Sequence, residues 1–388
     1  MPRSNYIRLS SSSGEIYVLA SRIKELQEID AVFFDCDGVL IDVRKSCDAT
    51  IVRTVRLLAR KILGIVVPRK FSLTQATAKL RKSGGFNNDW SVSYALLLGL
   101  YAYASSKKEV DKPSTELHTP VELRPIPKDS LGLGARSINE TSLWKRTSER
   151  LLQLGKDADS TGIESVTRIL VAEGYGECVT FIKKLLGYPV ESSVVGRAYD
   201  ELFYGRELFR LKFGVDPKFS KSRGLVEKEK PLVSQKTLDL LKRCFSSRKL
   251  GIVSGRDHIS ASNTLGSLIK NFEQNNLIFL MDDVKHRKAG QDHLQPLLNK
   301  PNPEILIRAV SKIGPFRRCL YVGDSAEDFI MVQRANSIAP KFAFAGVYNS
   351  VKFKKETRSH FLTERADIII PSADTLPEVF RKIGEIEK

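Results

Sequence analysis

An apolar run that ends in two aspartates and a glycine, AVFFDCDGVL from Ala31 to Leu40, constrains this chain most. Its first four residues have the length and the Val and Phe content of a buried strand, and Gly38 gives the backbone freedom to turn away. Asp35 and Asp37 are therefore expected at the carboxyl end of a strand, where open α/β sheets bind ligands. Two carboxylates at ~4 Å repel by about 4 kcal/mol in a dielectric near 20, which favours a bound cation or a shared proton.

The two carboxylates suit two roles in phosphoryl transfer. In this interpretation, Asp35 is a nucleophile that attacks phosphorus to form an aspartyl-phosphate. Asp37 is then the acid/base that protonates the leaving alkoxide and later activates water. Taken alone, the same residues also describe an acidic turn between a strand and a loop. The choice between these interpretations depends on the rest of the chain.

The composition indicates a globular protein with more than one domain. The chain has 388 residues, of which 42% are hydrophobic and 28% are charged, so two domains are expected. The segment up to Gly14 is polar and serine-rich, and no apolar stretch approaches the ~18 residues that span a bilayer, which predicts an intracellular, cytoplasmic protein. Five scattered cysteines without C-x-x-C spacing predict neither a disulfide framework nor a zinc site.

The net charge of +17 raises the question of a polyanionic partner. The basic residues are dispersed and lack the interleaved aromatic residues of a single-strand binding platform. A solvated basic surface that favours small anionic substrates is the simpler interpretation, and nucleic-acid binding is the alternative. The sequence carries no signal for an oligomeric state.

Apolar periodicity divides the chain into a helical insertion and a strand-rich remainder. Residues 45–248 are mostly helical in pattern, apart from a Lys-, Ser- and Pro-rich stretch at 105–147 that is expected to form a flexible insertion. Residues 1–44 and 249–388 are predicted to form a discontinuous Rossmann-like α/β core with a parallel sheet, and residues 45–248 an inserted helical cap. The apolar runs that carry this prediction beyond residue 248 are Leu250–Val253, Leu277–Met281, Cys319–Val322, Phe342–Val347 and Ile368–Ile370.

Two further segments place polar groups at a strand end or a helix start. Ser254 and Gly255 directly follow the second predicted core strand, where the hydroxyl group can donate to a phosphate oxygen or cap the next helix. Lys300 precedes two prolines and a helix start, which suits an ammonium group that neutralises a nucleophile and a phosphate together.

A third strand end supplies two more carboxylates. Gly323 and Asp324 follow the run that begins at Cys319, and Asp328 comes one helical turn later. Asp324 and Asp328 can share one face of a helix and offer the oxygen ligands that Mg²⁺ prefers. Complementing a helix dipole would explain Asp324 alone, but not the pair.

In this order, the four motifs resemble those of the haloacid dehalogenase superfamily of phosphotransferases. The resemblance implies that Asp35 is the nucleophile and Asp37 the acid/base, and that Ser254, Gly255 and Lys300 hold the phosphate. Dehalogenases of the superfamily displace halide without protonation and generally lack the second aspartate. Asp37 therefore favours transfer from an oxygen leaving group.

The resemblance also implies a Mg²⁺ site formed by Asp35, the carbonyl group of Asp37, and Asp324, with Asp328 as a further ligand directly or through water.

The insertion resembles the helical cap of the subfamily that includes phosphoglycolate phosphatases and β-phosphoglucomutase, and within it an archaeal-type branch. The expected function is Mg²⁺-dependent hydrolysis of a small phosphomonoester, with phosphoglycolate the first candidate. A phosphosugar mutase is the close alternative, and a non-catalytic nucleic-acid-binding protein on the same scaffold is an alternative of another class.

The stretch GGFNNDW at residues 84–90 is the candidate specificity loop. Asn87, Asn88 and Asp89 can hydrogen-bond to hydroxyl or carboxyl groups, although the same stretch fits a helix stop followed by a helix cap. Arg44 and Arg256 are candidates for contact with an anionic substrate tail. The insertions at 105–147 and 284–299 depart from the pattern of the relatives.

Overall fold

A computed structural model of the protein describes residues 5–86, 88–104, 140–245, 249–283, 299–351 and 353–385. The predictions for Asn87, for residues 105–139 and for residues 284–298 lie outside these residues. The strands are β1 (Tyr6–Ser11), β2 (Gly14–Leu19), β3 (Ile29–Phe34), β4 (Ile41–Asp42), β5 (Lys230–Pro231), β6 (Leu250–Ser254), β7 (Leu277–Phe279), β8 (Arg318–Gly323), β9 (Phe342–Val347) and β10 (Ile368–Ile370). The α-helices are α1 (Ile23–Gln27), α2 (Cys47–Lys61), α3 (Thr74–Lys82), α4 (Asp89–Ala104), α5 (Glu140–Asp157), α6 (Ile163–Ala172), α7 (Gly176–Leu186), α8 (Val194–Phe213), α9 (Gln235–Phe245), α10 (His258–Leu265), α11 (Leu280–Asp283), α12 (Pro303–Ser311), α13 (Ala326–Ile338), α14 (Lys354–Thr363) and α15 (Leu376–Glu385).

The chain forms two compact units, one of residues 1–45 and 226–388 and the other of residues 46–225. The chain thus returns to the first unit at residue 226, earlier than the predicted boundary at 248. The reason is that α9 buries Leu238 and Leu241 in the same core as the sheet. Its apolar spacing is that of any amphipathic helix, so the sequence pattern did not distinguish a helix on the sheet from one in the insertion.

The first unit is built on an eight-stranded sheet with the order β1-β2-β10-β9-β8-β3-β6-β7. The six strands from β10 to β7 are parallel, which confirms the predicted α/β class. The hairpin β1–β2 adds two antiparallel strands at one edge, and it was not predicted, because the segment up to Gly14 is polar and serine-rich. The predicted strand at Leu277–Met281 is shorter than expected, since β7 ends at Phe279 and a helical turn begins at Leu280.

Strand β3 lies inside the sheet and is buried on both faces. Val32 and Phe34 belong to one apolar core, and Ala31 and Phe33 to the other. This explains why the run is continuously apolar instead of alternating, as is usual for a central parallel strand. The burial places the first residue after the strand, Asp35, at the carboxyl edge of the sheet.

The second unit is helical and comprises α2 to α8. Helix α4 is its most buried element, and Gly99 at its middle allows Leu151 and Leu154 of α5 to approach closely. Residues 140–147 form the first turns of α5, so the predicted flexible insertion does not extend to 147. Trp144 in these turns packs edge-to-face on Phe71, which gives this part of the helix a hydrophobic partner.

Among the helices in the described ranges, none combines the length and the apolarity required to cross a membrane.

Candidate active site

Asp35 is fixed at the end of β3 by backbone and side-chain hydrogen bonds. Its N–H donates to the carbonyl of Val322 at 2.9 Å, continuing the pairing of β3 with β8. Its Oδ1 accepts a hydrogen bond from the N–H of Cys36 at 2.7 Å, and the residue is only 8% exposed. The carboxylate is therefore held in one orientation at the sheet edge.

The turn after Asp35 is tight and is held by its own backbone hydrogen bonds. The carbonyl of Cys36 accepts hydrogen bonds from the backbone N–H groups of Leu40 and Ile41, each at 2.8 Å. Gly38 adopts a φ of 73°, in the left-handed region, and its carbonyl accepts a hydrogen bond from the hydroxyl of Ser350. Ser350 follows β9, so a second loop of the same sheet edge supports this turn. Ser350 could not be identified from the sequence, because nothing around it marks a contact with a residue 312 positions away.

Three carboxylates converge at the sheet edge. Asp35, Asp324 and Asp328 each offer an oxygen atom, and these atoms lie within 4.8 Å of one another. The approach of Asp324 depends on Gly38, since a Cβ atom at position 38 would lie 1.8 Å from Asp324 Oδ2. Hard oxygen donors gathered in this way fit Mg²⁺, which binds through a few carboxylates and keeps several waters.

Burial and crowding raise the pKa values of two of these carboxylates, Asp35 and Asp324. Burial raises the pKa of Asp35 to about 6, against the lowering effect of the Lys300 ammonium group. Burial and the neighbouring carboxylates of Asp328 and Asp35 raise the pKa of Asp324 well above its usual range. A divalent cation at this position would offset both the burial and the mutual repulsion that raise these two pKa values.

Lys300 lies between two of these carboxylates. Its Nζ is 3.0 Å from Asp35 Oδ2 and 2.7 Å from Asp328 Oδ1, and 5.4 Å from the centre of the Tyr321 ring. Burial alone would lower the pKa of Lys300, but Asp328 and Asp35 raise it well above its usual value. Asp328 is held in turn by Ser325, whose hydroxyl donates to its Oδ2 at 2.7 Å in the capping box of α13. Lys300 is therefore a fixed, charged ammonium group beside the predicted nucleophile.

Asp37 projects from the same turn and pairs with an arginine. Its side chain is 43% exposed, and its Oδ1 accepts a hydrogen bond from Arg256 Nη1 at 2.7 Å. The Arg256 side chain is buried and also forms an ion pair with the buried carboxylate of Glu229. This geometry favours support of Asp37 over contact with a substrate tail. Glu229 could not be identified from the sequence, because it lies in a run of alternating charges that resembles a solvated surface segment.

Ser254 and Gly255 lie where β6 ends, at the same edge as Asp35. Ser254 is buried, and its hydroxyl oxygen accepts a hydrogen bond from the N–H of Arg256 at 3.2 Å. The same hydroxyl hydrogen-bonds to the thiol of Cys36, whose pKa is raised by burial. A Cβ atom added at Gly255 would meet open space. The phosphate-binding role of the two residues stays a prediction.

The described candidate specificity residues Arg44, Asn88 and Asp89 each have nearby partners. In the helical unit, Asn88 Oδ1 accepts a hydrogen bond from the N–H of Ser91 at 2.7 Å. Asp89 accepts hydrogen bonds from Arg81 Nη2 and from the hydroxyl of Tyr199, each at 2.5 Å. These contacts fit the alternative in which the segment begins a helix.

In the sheet unit, Arg44 forms an ion pair with Asp42 at 2.6 Å. Its contact with substrate, like that of Asn88 and Asp89, stays a prediction.

A sequence model of the haloacid dehalogenase-like hydrolases matches residues 29–336, which include every residue of the carboxylate cluster. The chain belongs to the haloacid dehalogenase-like hydrolase family. As a member of this family it is a hydrolase, and the parallel sheet with Asp35 at its carboxyl edge is the corresponding fold. No curated protein matches the chain.

Solved structures align with this hydrolase at low sequence identity. An X-ray structure from the Northeast Structural Genomics Consortium aligns with a TM-score of 0.62 and 17% identity, covering 92% of this chain and 100% of that one. A phosphatase from Thermococcus thioreducens aligns with a TM-score of 0.48 and 21% identity over 86% of this chain and 98% of that one. A family IA hydrolase from Entamoeba histolytica has a TM-score of 0.39 and 12% identity, with coverages of 92% and 100%. The first of these similarities supports the fold, and the other two are too low to add to it.

Proposed function

We propose that this hydrolase is a Mg²⁺-dependent phosphatase that acts on a small phosphomonoester through an aspartyl-phosphate on Asp35. The contact of Lys300 with Asp35, beside the convergent carboxylates of Asp324 and Asp328, carries the proposal. A nucleophilic carboxylate that must approach an anionic phosphate needs positive charge nearby. Lys300 provides part of it, and the acidic cluster would hold a cation that adds to it.

In the first half of the reaction, an oxygen of the Asp35 carboxylate forms a bond to phosphorus while the bond from phosphorus to the leaving oxygen breaks. The proton of the Asp37 carboxyl group passes to the leaving oxygen, which departs as an alcohol. Lys300 stays beside Asp35 and offsets the charge of the phosphate. Mg²⁺ bound by Asp35, Asp324 and Asp328 would supply further positive charge against the repulsion between nucleophile and phosphate.

In the second half, a water molecule attacks the phosphorus of the aspartyl-phosphate. The Asp37 carboxylate, left without its proton by the first half, takes a proton from this water as the bond between phosphorus and Asp35 breaks. Inorganic phosphate leaves, and both aspartates return to their starting states. Ser254 and Gly255 are proposed to hold the phosphate oxygens through both halves, because they lie at the end of the neighbouring strand β6.

The substrate proposed first is phosphoglycolate or a similarly small phosphorylated metabolite, on the family resemblance of the motifs. Asn87, Asn88, Asp89 and Arg44 are the proposed specificity residues. A mutase would use the same nucleophile but return the phosphoryl group to a second hydroxyl group of a sugar phosphate. The fate of the phosphoryl group distinguishes the two functions.

The test is hydrolysis of p-nitrophenyl phosphate by the purified chain, with Mg²⁺ and with EDTA. We expect release of inorganic phosphate that requires Mg²⁺ and that Asp35→Asn abolishes. Asp239→Asn removes an exposed carboxylate from α9 and serves as the matched control, which we expect to be as active as the wild type. Full activity of Asp35→Asn, or no Mg²⁺-dependent turnover, would refute the proposal.

A screen of phosphorylated metabolites under the same conditions would then identify the substrate. Release of phosphate to water supports a phosphatase. Transfer of the phosphoryl group to a bisphosphorylated sugar supports the mutase instead.

A further inference from the structure

Arg256 connects a buried carboxylate to the half-exposed carboxylate of Asp37. Its Nη1 lies 2.7 Å from Asp37 Oδ1 and 3.4 Å from Glu229 Oε1, and its Nη2 donates to Glu229 Oε2. Its Nε donates to the hydroxyl of Ser260 at 3.0 Å. All three guanidinium nitrogens are therefore engaged, and the plane of the group is fixed.

The Glu229 carboxylate, at one end of this bridge, is held rigidly. The side chain of Glu229 is fully buried, and it accepts a further hydrogen bond from the hydroxyl of Thr264 at 3.0 Å. A buried carboxylate requires a counter-charge, since removing one partner of a buried pair leaves an uncompensated buried charge. Glu229 thus holds Arg256 in place whether or not Asp37 is engaged.

The Asp37 carboxylate is less constrained than that of Glu229. Its side chain is 43% exposed at the tip of a glycine turn, whereas the Arg256 side chain is only 4% exposed. An exposed carboxylate on such a turn samples several rotamers unless something fixes it. Arg256 is the contact that selects one of them in this structure.

We infer that Arg256, anchored by Glu229, is a positioning residue that holds the Asp37 carboxyl group in the orientation needed to protonate the leaving group. The inference rests on the proposed phosphatase function, in which Asp37 is the general acid. Arg256 touches neither the substrate nor the reacting atoms in this role and acts through Asp37. The flat guanidinium fork can bridge two carboxylates at fixed angles, and a lysine ammonium group has no such geometry.

A series of esters with different leaving groups tests this role. The value of kcat/KM covers the steps up to departure of the first leaving group, so it reports on the acid half of the reaction. Phenyl phosphate has a poor leaving group that needs protonation, whereas 2,4-dinitrophenyl phosphate has a good one that does not. A loss that depends on the leaving group identifies impaired acid catalysis, because a general disturbance of the site would affect both esters alike.

For Arg256→Lys we expect kcat/KM on phenyl phosphate to fall about 10–100-fold, and on 2,4-dinitrophenyl phosphate by less than about threefold. Asp37→Asn sets the benchmark for the same selective pattern. Glu229→Gln keeps the volume of the anchor but removes its charge, and we expect the same selectivity with a smaller loss. It is the second variant that keeps the test decisive if Arg256→Lys does not fold.

The matched control is Arg22→Lys. Arg22 also pairs with two carboxylates, Glu25 at 2.6 Å and Asp367 at 3.0 Å, but takes no part in the site. We expect its kcat/KM values to equal those of the wild type for both esters. Equal losses on the two esters for Arg256→Lys and Glu229→Gln, or no loss on either, would overturn the positioning role while leaving the phosphatase proposal intact. A wild type without Asp35-dependent hydrolysis of either ester would overturn the proposed function and this inference with it.

Discussion

The ammonium nitrogen of Lys300 lies 2.7 Å from Asp328 Oδ1. The same nitrogen is 3.0 Å from Asp35, so one cation compensates two buried carboxylates, one that follows β3 and one in the first turn of α13. Because Asp328 is also fixed by Ser325, it orients Lys300 toward the proposed nucleophile. Asp328 therefore has two uses, as a candidate metal ligand and as an anchor for the lysine.

Replacing this lysine should cost both stability and activity. Lys300→Met leaves Asp35 and Asp328 buried without their ammonium partner, and we expect the free energy of unfolding to fall by about 3–5 kcal/mol in EDTA. Mg²⁺ should recover part of this loss, since it would compensate the same carboxylates. Urea denaturation with and without Mg²⁺ measures both effects. The exposed Lys236→Met is the control, and a Lys300→Met protein as stable as this control in EDTA would contradict the expectation.

Gly38 should tolerate no side chain. A Cβ atom at this position would lie 1.8 Å from Asp324 Oδ2, and the φ of 73° costs a non-glycine residue about 1–3 kcal/mol. We expect Gly38→Ala to displace Asp324, to lower kcat/KM more than about 100-fold and to raise the Mg²⁺ concentration needed for half-maximal activity.

The matched control for this substitution is Gly384→Ala in α15, where an added Cβ meets no atom within 4 Å. Its activity and Mg²⁺ requirement should equal those of the wild type. An unchanged Mg²⁺ requirement in Gly38→Ala would show that Asp324 does not depend on the glycine.

Asp37→Asn should slow turnover by about 10²–10⁴-fold through loss of acid/base catalysis. Mg²⁺ binding should change little, because the contact that the family resemblance implies is the backbone carbonyl. Steady-state kinetics over a range of Mg²⁺ concentrations separates the two effects. A variant that regains wild-type turnover at high Mg²⁺ would instead assign the Asp37 side chain to metal binding.

Asp30, at the opposite end of β3 from Asp35, should make stability depend on pH. Burial by itself raises the pKa of Asp30, but hydrogen bonds from the Lys249 ammonium group at 2.7 Å and from the N–H groups of Arg317 and Arg318 outweigh it and hold the pKa below its ordinary value. The folded pKa lies below the unfolded value of about 4, so the contribution is present above pH ~4 and is lost as the pH falls through the folded pKa.

Asp30→Asn tests this dependence. We expect the free energy of unfolding to fall by about 1.5–3 kcal/mol at pH 7, the value of hydrogen bonds to a charged group, and by much less near pH 3. Urea denaturation of both proteins at the two pH values measures the difference. An equal loss in the free energy of unfolding at pH 7 and at pH 3 would mean that the charge of Asp30 is not what stabilises the fold.

The four motifs could be read from the sequence because each lies where an apolar run ends or a helix begins. In a parallel sheet the carboxyl ends of the strands share one edge, so the pattern of runs was enough to bring Asp35 and Asp324 together. The same logic failed at the amino terminus, where β1 follows a polar, serine-rich pattern. The four buried residues of β2, from Ile16 to Leu19, form an apolar run too short to identify a strand by its period. The logic also failed at residues 140–147 and 226–245, because a helical period is the same whichever surface the helix packs on.

The sequence by itself determined the α/β sheet, and it predicted the proposed chemistry of a nucleophilic carboxylate, an acid/base two residues later, a lysine and an acidic metal site. Only the tertiary structure decided which charges touch. Arg256 lies 219 residues from Asp37 and 27 from Glu229, and Lys300 reaches Asp328 from a different loop. The local sequence around each residue does not indicate such distant pairs. They form because each buried charge needs a partner, and the fold determines which partner is within reach.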